Sequence, residues 1–259
     1  MMSTDKAWEK FGKVDPYFGV LADARFAADK IDAHRDDFFA SGRSSVAHIL
    51  NRYGEHFGGL QRERALDFGC GVGRLTFPLA REFASVVGLD ISRSMLSEAE
   101  TNARQLDVSN VKFALADDQL SNAPGGFDFV NSYIVLQHIP VRRGLPILSR
   151  LVDKVRPGGG FHVHFSIRTD SLASRSVWWA SHHIPGVKIW QNIRSGRDWN
   201  APAMQMNNYP LNRNRNFPPI CWICTGPTAS DIVPVNRPGL ISRISQRRCL
   251  VGLPWSWTC

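Results

Sequence analysis

Between Arg64 and Arg74 a short apolar run ends in an aspartate and then in three glycines spaced two apart, Leu66-Asp67-Phe68-Gly69-Cys70-Gly71-Val72-Gly73-Arg74. Few folds can use such a run. Glycine lets the backbone turn tightly and lets a ligand come close where a Cβ atom would stand in the way. The run therefore reads as a strand over 64–69 that ends in a ligand-binding loop, with a helix behind it whose first N–H groups can face an anion. The flanking sequence has the matching rhythm. Ser85–Asp90, Val111–Leu115, Phe127–Asn131 and Gly160–Ile167 read as further strands. Gly73–Phe83, Ser92–Leu106 and Pro140–Val155 read as helices. The second has Ser92 at its N-cap and Met95, Leu96, Ala99, Ala103 and Leu106 as its buried stripe; the third has Pro157-Gly158-Gly159 as its stop. Alternating strands and helices predict parallel pairing with right-handed crossovers, an α/β fold of three layers around a mostly parallel sheet.

The loop also speaks to the ligand. Asp90, at the end of the next strand, is placed to accept both hydroxyls of a ribose. A dinucleotide site has GxGxxG and seats a pyrophosphate on the helix start. This chain has GxGxG with Asp67 two residues before the first glycine. A carboxylate there repels a pyrophosphate and suits an ammonium or a sulfonium. S-adenosylmethionine (SAM) carries both and has no phosphate, so charge favours SAM over NAD.

Taken together, Asp67–Arg74, Asp90, Ala116-Asp117-Asp118, Phe127-Asp128-Phe129-Val130 and Arg156-Pro157-Gly158-Gly159-Gly160 resemble, in order and spacing, the successive motifs of class I SAM-dependent methyltransferases, over residues 60–167. The resemblance implies a Rossmann-like αβα domain with SAM as cofactor; no metal is expected, from the spacing of cysteines and histidines taken up below. It implies that the Gly69–Gly73 loop contacts the methionine part, with Asp67 near the amino group and Phe68, Cys70 and Gly71 along it. It further implies that Asp90 binds the ribose, that Ile91 and Met95 flank adenine, and that Asp117, with Asp118 beside it, accepts from the adenine amino group. Residues 133–138 would line the transfer site, with Tyr17, Tyr133 and Gln137 on the acceptor's side. His138 is the candidate general base, although a loop histidine that lines the pocket is the plainer reading. Asp67 could equally be a hydrogen-bonded structural carboxylate, and Asp90 a cap for the helix at 92. Asp128 reads as structural. The expected activity is methyl transfer to a small-molecule acceptor; the alternative is a Rossmann protein that binds SAM or a nucleotide without catalysis.

Around this core, residues 1–59 read as a helical extension rich in aromatics (Trp8, Phe11, Tyr17, Phe18) that covers the cleft. Residues 168–213 read as a cap whose Trp178, Trp179, Met204, Gln205 and Met206 could face an acceptor. Residues 214–259 read as an irregular basic tail, crowded with cysteine, tryptophan, proline and arginine, in which the last strands of such a sheet are missing or irregular. One reading is that this end is out of frame. The formal charge of +8 sits wholly after residue 167, where 11 Lys+Arg face 3 Asp+Glu; residues 1–167 hold 20 of each. A charge confined to that tail is a weak argument for nucleic acid, which is not the expected partner. Five cysteines (Cys70, Cys221, Cys224, Cys249, Cys259) give one CxxC pair, but no regular spacing for a zinc site or a disulfide framework. His162 and His164 share a strand face without a third ligand. With no apolar leader at Met1–Lys10 and no run of about 18 apolar residues, the expected compartment is the cytoplasm.

Overall fold

The computed structural model describes residues 4–166, Gly186, Trp190, 206–207, Tyr209, 224–225 and 228–234. Helices α1 (Thr4–Val14), α2 (Pro16–Val20) and α3 (Ile31–Phe57) lead into β1 (Arg64–Phe68), α4 (Thr76–Glu82), β2 (Ser85–Asp90), α5 (Arg93–Gln105), β3 (Val111–Leu115), β4 (Phe127–Tyr133), α6 (Val141–Asp153) and β5 (Val155–Ser166), then β6 (Cys224–Thr225) and β7 (Thr228–Pro234). The sheet order is β3-β2-β1-β4-β5-β7-β6. The first five strands are parallel, and β7 runs antiparallel to both β5 and β6. This is the Rossmann-like αβα sandwich that the alternating pattern predicts. β1 and β4 lie centrally and are almost wholly buried, as a parallel strand covered on both faces must be.

Two layers cover the sheet. Leu148 and Leu151 of α6 pack with Leu66, Val130, Phe161 and Val163 on one face. Val46, Ile49, Leu50 and Tyr53, a helical stripe on α3, pack with Leu79, Phe83, Val86 and Phe129 on the other. The N-terminal segment continues that second layer: Phe11, Tyr17, Phe26, Phe38 and Phe39 form one cluster with Val72, Phe77 and Met95. Helix α5 begins as expected, with Ser92 Oγ accepting from Met95 N at 3.1 Å.

Three local expectations need correction. The helix after the glycine loop starts at Thr76, not Gly73, because Gly69, Gly71 and Gly73 all adopt positive φ (75°, 53° and 94°) and hold the chain in turns. Pro157-Gly158-Gly159 does not stop a helix: α6 ends at Asp153, and the run lies inside β5, across an irregularity in its register with β4. Gly159 permits this, since a Cβ there would stand 2.8 Å from Asp128 O. Finally, β7 pairs with β5 from Gly160↔Pro234 to Ser166↔Thr228, so β5 has a strand at its side where the tail showed no strand pattern. Trp178, Trp179, Met204, Gln205, Cys221, Cys249 and Cys259 lie outside the described residues. Among those described, no helix is long and apolar enough to cross a membrane.

Candidate active site

A cleft of about 970 Å³, its open mouth included, lies at the C-terminal ends of β1, β2 and β4, where an open α/β sheet presents its ligand site. Its floor is the glycine loop. A Cβ on Gly69 would stand 2.2 Å from Val135 Cγ2, and one on Gly71 would stand 2.4 Å from Val20 Cγ2, so only glycine fits at either place. Three backbone donors strap the loop to the end of β2: Gly69 N and Cys70 N to Leu89 O (2.7 and 3.0 Å), and Gly71 N to Asp90 Oδ2 (2.9 Å).

Asp90 lines this cleft at the tip of β2. Its other oxygen accepts from Ser92 N at 2.8 Å. Burial pushes its carboxyl up to about 6, against the lowering effect of the Ser92 and Gly71 N–H groups. Each oxygen keeps a lone-pair direction for a further donor. Asp67, at the end of β1, is likewise buried and raised by desolvation. It accepts from Thr76 Oγ1 at 2.6 Å and from Asn131 Nδ2 at 2.8 Å. Asn131 Oδ1 lies 2.7 Å from His162 Nδ1, and burial holds His162 down to about 3, a neutral ring. A buried polar chain thus runs from α4 through β1 and β4 to β5 behind the cleft.

Helix α1 forms the roof. Thr4, Asp5 and Trp8 line the cleft, and Trp8 meets His138 edge-on at 5.0 Å between ring centroids. Two polar latches hold the helix down. Glu9 accepts from Ser92 Oγ (2.9 Å) and Ser94 Oγ (2.7 Å) at the N-terminus of α5; the Ser94 hydroxyl first, with Ser92, holds its carboxyl down to about 2, against desolvation. Arg143 of α6 joins Asp5 at 2.6 Å to Asp118 at 2.7 Å. Beneath the roof Ile134 has φ of 62°, uncommon for a β-branched residue, and donates its N–H to His164 O.

Of the residues singled out in the sequence, Asp67, Phe68, Gly69, Cys70, Gly71, Asp90, Ile91, Met95, Tyr133 and His138 line this one cleft. Five do not. Gly73 turns the chain over the ring of Phe77. Asp117 is exposed and accepts from Ser121 N at 2.9 Å, closing the turn after β3. Asp118 is taken by Arg143. Tyr17 is buried in the aromatic cluster, its hydroxyl 2.6 Å from Glu98 Oε1 and 2.8 Å from Asn102 Oδ1. Gln137 is buried beside the cleft, its carbonyl accepting from Asn207 N at 2.6 Å and its Nε2 4.0 Å from Met206 Sδ. Asp128 is structural as expected, accepting from Glu63 N and Arg64 N and pairing with Arg156. Sequence reasoning missed Arg74 and Arg143 as lining residues. The place of Arg74 directly after the last glycine was a usable signal; nothing local marks Arg143.

Residues 65–159 match a family described as a methyltransferase domain. The ubiquinone biosynthesis O-methyltransferase of Acinetobacter baylyi is 34% identical over 119 residues, 45% of this chain and 48% of that protein. The protein of the same name from Agrobacterium fabrum is 37% identical over 121 residues, 44% of this chain and 48% of its own. The chain thus spans about half the length of these curated relatives. Among solved structures, the magnesium protoporphyrin IX methyltransferase of Synechocystis PCC 6803 with bound S-adenosylhomocysteine (SAH) superposes with a TM-score of 0.56 and 20% identity, covering 89% of this chain and 98% of that one. The strand order and the glycine-loop cleft agree with that likeness in fold. Over residues 65–159 the chain therefore matches a methyltransferase domain, and its fold is the one seen in that solved methyltransferase.

Proposed function

We propose that the chain binds SAM in this cleft and transfers its methyl group to a small-molecule acceptor. The observation that carries the reading is the joining of Asp90 to the glycine loop: a carboxylate at the tip of β2 accepts from Gly71 N and Ser92 N and faces the cleft. The residues present fit the cofactor. The two loop glycines leave no room for a Cβ, Ile91 and Met95 offer apolar contact for a base, Asp90 can accept from a diol, and Asp67 suits an ammonium. Asp117 is not among the lining residues, so an adenine contact is assigned to Ile91 and Met95 alone.

When bound, SAM supplies an electrophilic methyl group on a sulfonium. The work left to the chain is to hold an acceptor in line and keep water out. Trp8, on a helix latched at Glu9 and Asp5, closes the roof and excludes water from the space above the glycine loop. Tyr133, Val135 and Ile139 give the acceptor side an apolar wall. The names of the curated relatives support a hydroxyl acceptor, and His138 is then the group to take its proton, its ring plane set by Trp8. The test is calorimetric titration of SAH into the wild type and Asp90→Ala, with NAD as control. Binding by the wild type, none of NAD, and a loss of about tenfold or more in the mutant are expected. A folded wild type that ignores SAH would refute the reading.

A further inference from the structure

A second hollow lies beside the cleft, and Arg143 lines both. Its empty volume is about 640 Å³, open mouth included. Arg142, Pro146 and Arg150 recur at every fourth residue of α6, which puts them on one face of the helix. With Arg143 they line the hollow, and Asp118 and Gln119, from the segment after β3, complete it. Asp118 is the one acid among these lining residues, and it is already answered: Arg143 Nε donates to both of its oxygens at 2.8 Å. Arg143 spends its remaining donors on Asp5, at 2.6 and 3.2 Å. Arg142 and Arg150 are left with their charge and their whole forks. Among the described residues neither makes an ion pair or a side-chain hydrogen bond. A single arginine in water needs no ligand. Two unpaired ones lining the same concave wall concentrate a positive field there.

The spacing selects among anions. One carboxylate is filled by one guanidinium fork. Arg142 and Arg150 start two turns apart, about 12 Å along the helix axis. Side chains of that length can converge from such positions on two neighbouring phosphoryl groups, each fork taking one of them. We propose that this groove is a binding site for a diphosphate group, held by Arg142 and Arg150 with the Gln119 amide beside them. The site is separate from the SAM cleft, where Asp67 repels a diphosphate, and the proposal does not rest on the SAM reading. An occupant there lies next to the Arg143–Asp5 latch of the roof.

The experiment is calorimetric titration of pyrophosphate into the full chain at fixed ionic strength, with orthophosphate as comparison. Saturable pyrophosphate binding is expected, with orthophosphate weaker by about tenfold or more. Arg142→Met/Arg150→Met should weaken pyrophosphate by about tenfold or more. Arg43→Met/Arg81→Met, which removes the same charge elsewhere on the surface, should leave it unchanged. Saturation with SAH should also leave it unchanged. No saturable binding, or orthophosphate as tight as pyrophosphate, overturns the two-point site. Equal loss in both double variants would reduce the effect to the positive charge of the whole chain, and unchanged affinity in the groove variant would put the anion elsewhere; each sinks the proposal. Loss of pyrophosphate on SAH saturation would place it in the cleft and likewise overturn the groove. A folded protein that ignores SAH refutes the cofactor reading alone, because the variants locate the anion without it. If the groove variant does not fold, the wild-type comparison and the single change Arg142→Met, at an exposed position, still decide the matter.

Discussion

Asp90 carries two jobs that pull its proton in opposite directions. Burial raises its carboxyl from 3.8 to about 6, so the free folded protein holds that proton more tightly than the unfolded chain does. By linkage, this group alone makes the protein less stable as pH rises from 3.8 to about 6, where the unfolded state has already lost the proton. A ribose diol has the opposite effect, because its hydroxyls donate to the ionised form. SAH affinity measured calorimetrically should therefore be flat above about pH 6 and fall by up to about tenfold per unit below it. Affinity that stays constant from pH 5 to pH 8 would mean that Asp90 does not meet the ligand as a carboxylate. Asp67 is held more completely by its own neighbours, Thr76 and Asn131, and this explains why a residue readable as a ligand contact also reads as structural.

At the scale of the element, α3 shows how one helix can demand opposite things of the same amino acid. Gly42 faces the end of the glycine loop, where a Cβ would collide with the backbone oxygen of Arg74, and that oxygen cannot move aside as a side chain could. Gly54, three turns on, has nothing within 4 Å of the place its Cβ would occupy. Gly42→Ala should destabilise the protein by about 1–3 kcal/mol through overpacking, and Gly54→Ala should stabilise it by roughly 0.5–1 kcal/mol through helix propensity. Urea denaturation of both variants checks the pair; the same sign for both would show that α3 does not seat against the loop helix as described. The sequence marks residues 1–59 as helical but not the start of α3 at Ile31, since its early turns bury only Ile31, Phe38, Phe39 and Gly42 among charged neighbours. Elements β5 and β7 were hidden for other reasons. Pro157-Gly158-Gly159 carries the local signature of a stop, and only the close approach of Asp128 O makes glycine part of a strand there. The run Thr228–Pro234 has little alternation of its own and is a strand because β5 has an edge to pair.

For the molecule as a whole, the N-terminal helices and the sheet share one interior. Phe38 is fully buried, edge-on to Tyr17, Phe26 and Phe39, in a cluster that also holds Val72 of the glycine loop, Phe77 of α4 and Met95 of α5. Asn102 ties the same regions by polar contacts, donating to Val72 O at 3.1 Å and accepting at the side chain that faces Tyr17. An extension that merely rested on the domain would lack these bonds. Phe38→Ala should cost about 3–5 kcal/mol. Hydrogen exchange in urea should find α3 and β1 losing protection together in that variant. Separate losses, with β1 unaffected, would make residues 4–57 an independent unit.

The residues by themselves determined the order of strands and helices from β1 to β5, the glycine loop, the acid at the tip of β2 and hence the expected class of ligand. All of these rest on patterns a few residues long: alternation, helical stripes, positive φ at glycine and a charge at a strand end. Tertiary structure alone decided which candidates reach the cleft. Tyr17 is claimed by Glu98 and Asn102, Asp118 by Arg143, and Gln137 by Asn207, each a partner distant in sequence. Arg74 reaches the wall for the complementary reason: the fold packs its guanidinium against Tyr133 and two serines of α3, and among the described residues it makes no ion pair. Local pattern announces where a side chain starts from, but hydrogen-bonding and charge are satisfied across the whole fold, so the partner that frees or occupies a group is visible only when the chain is folded.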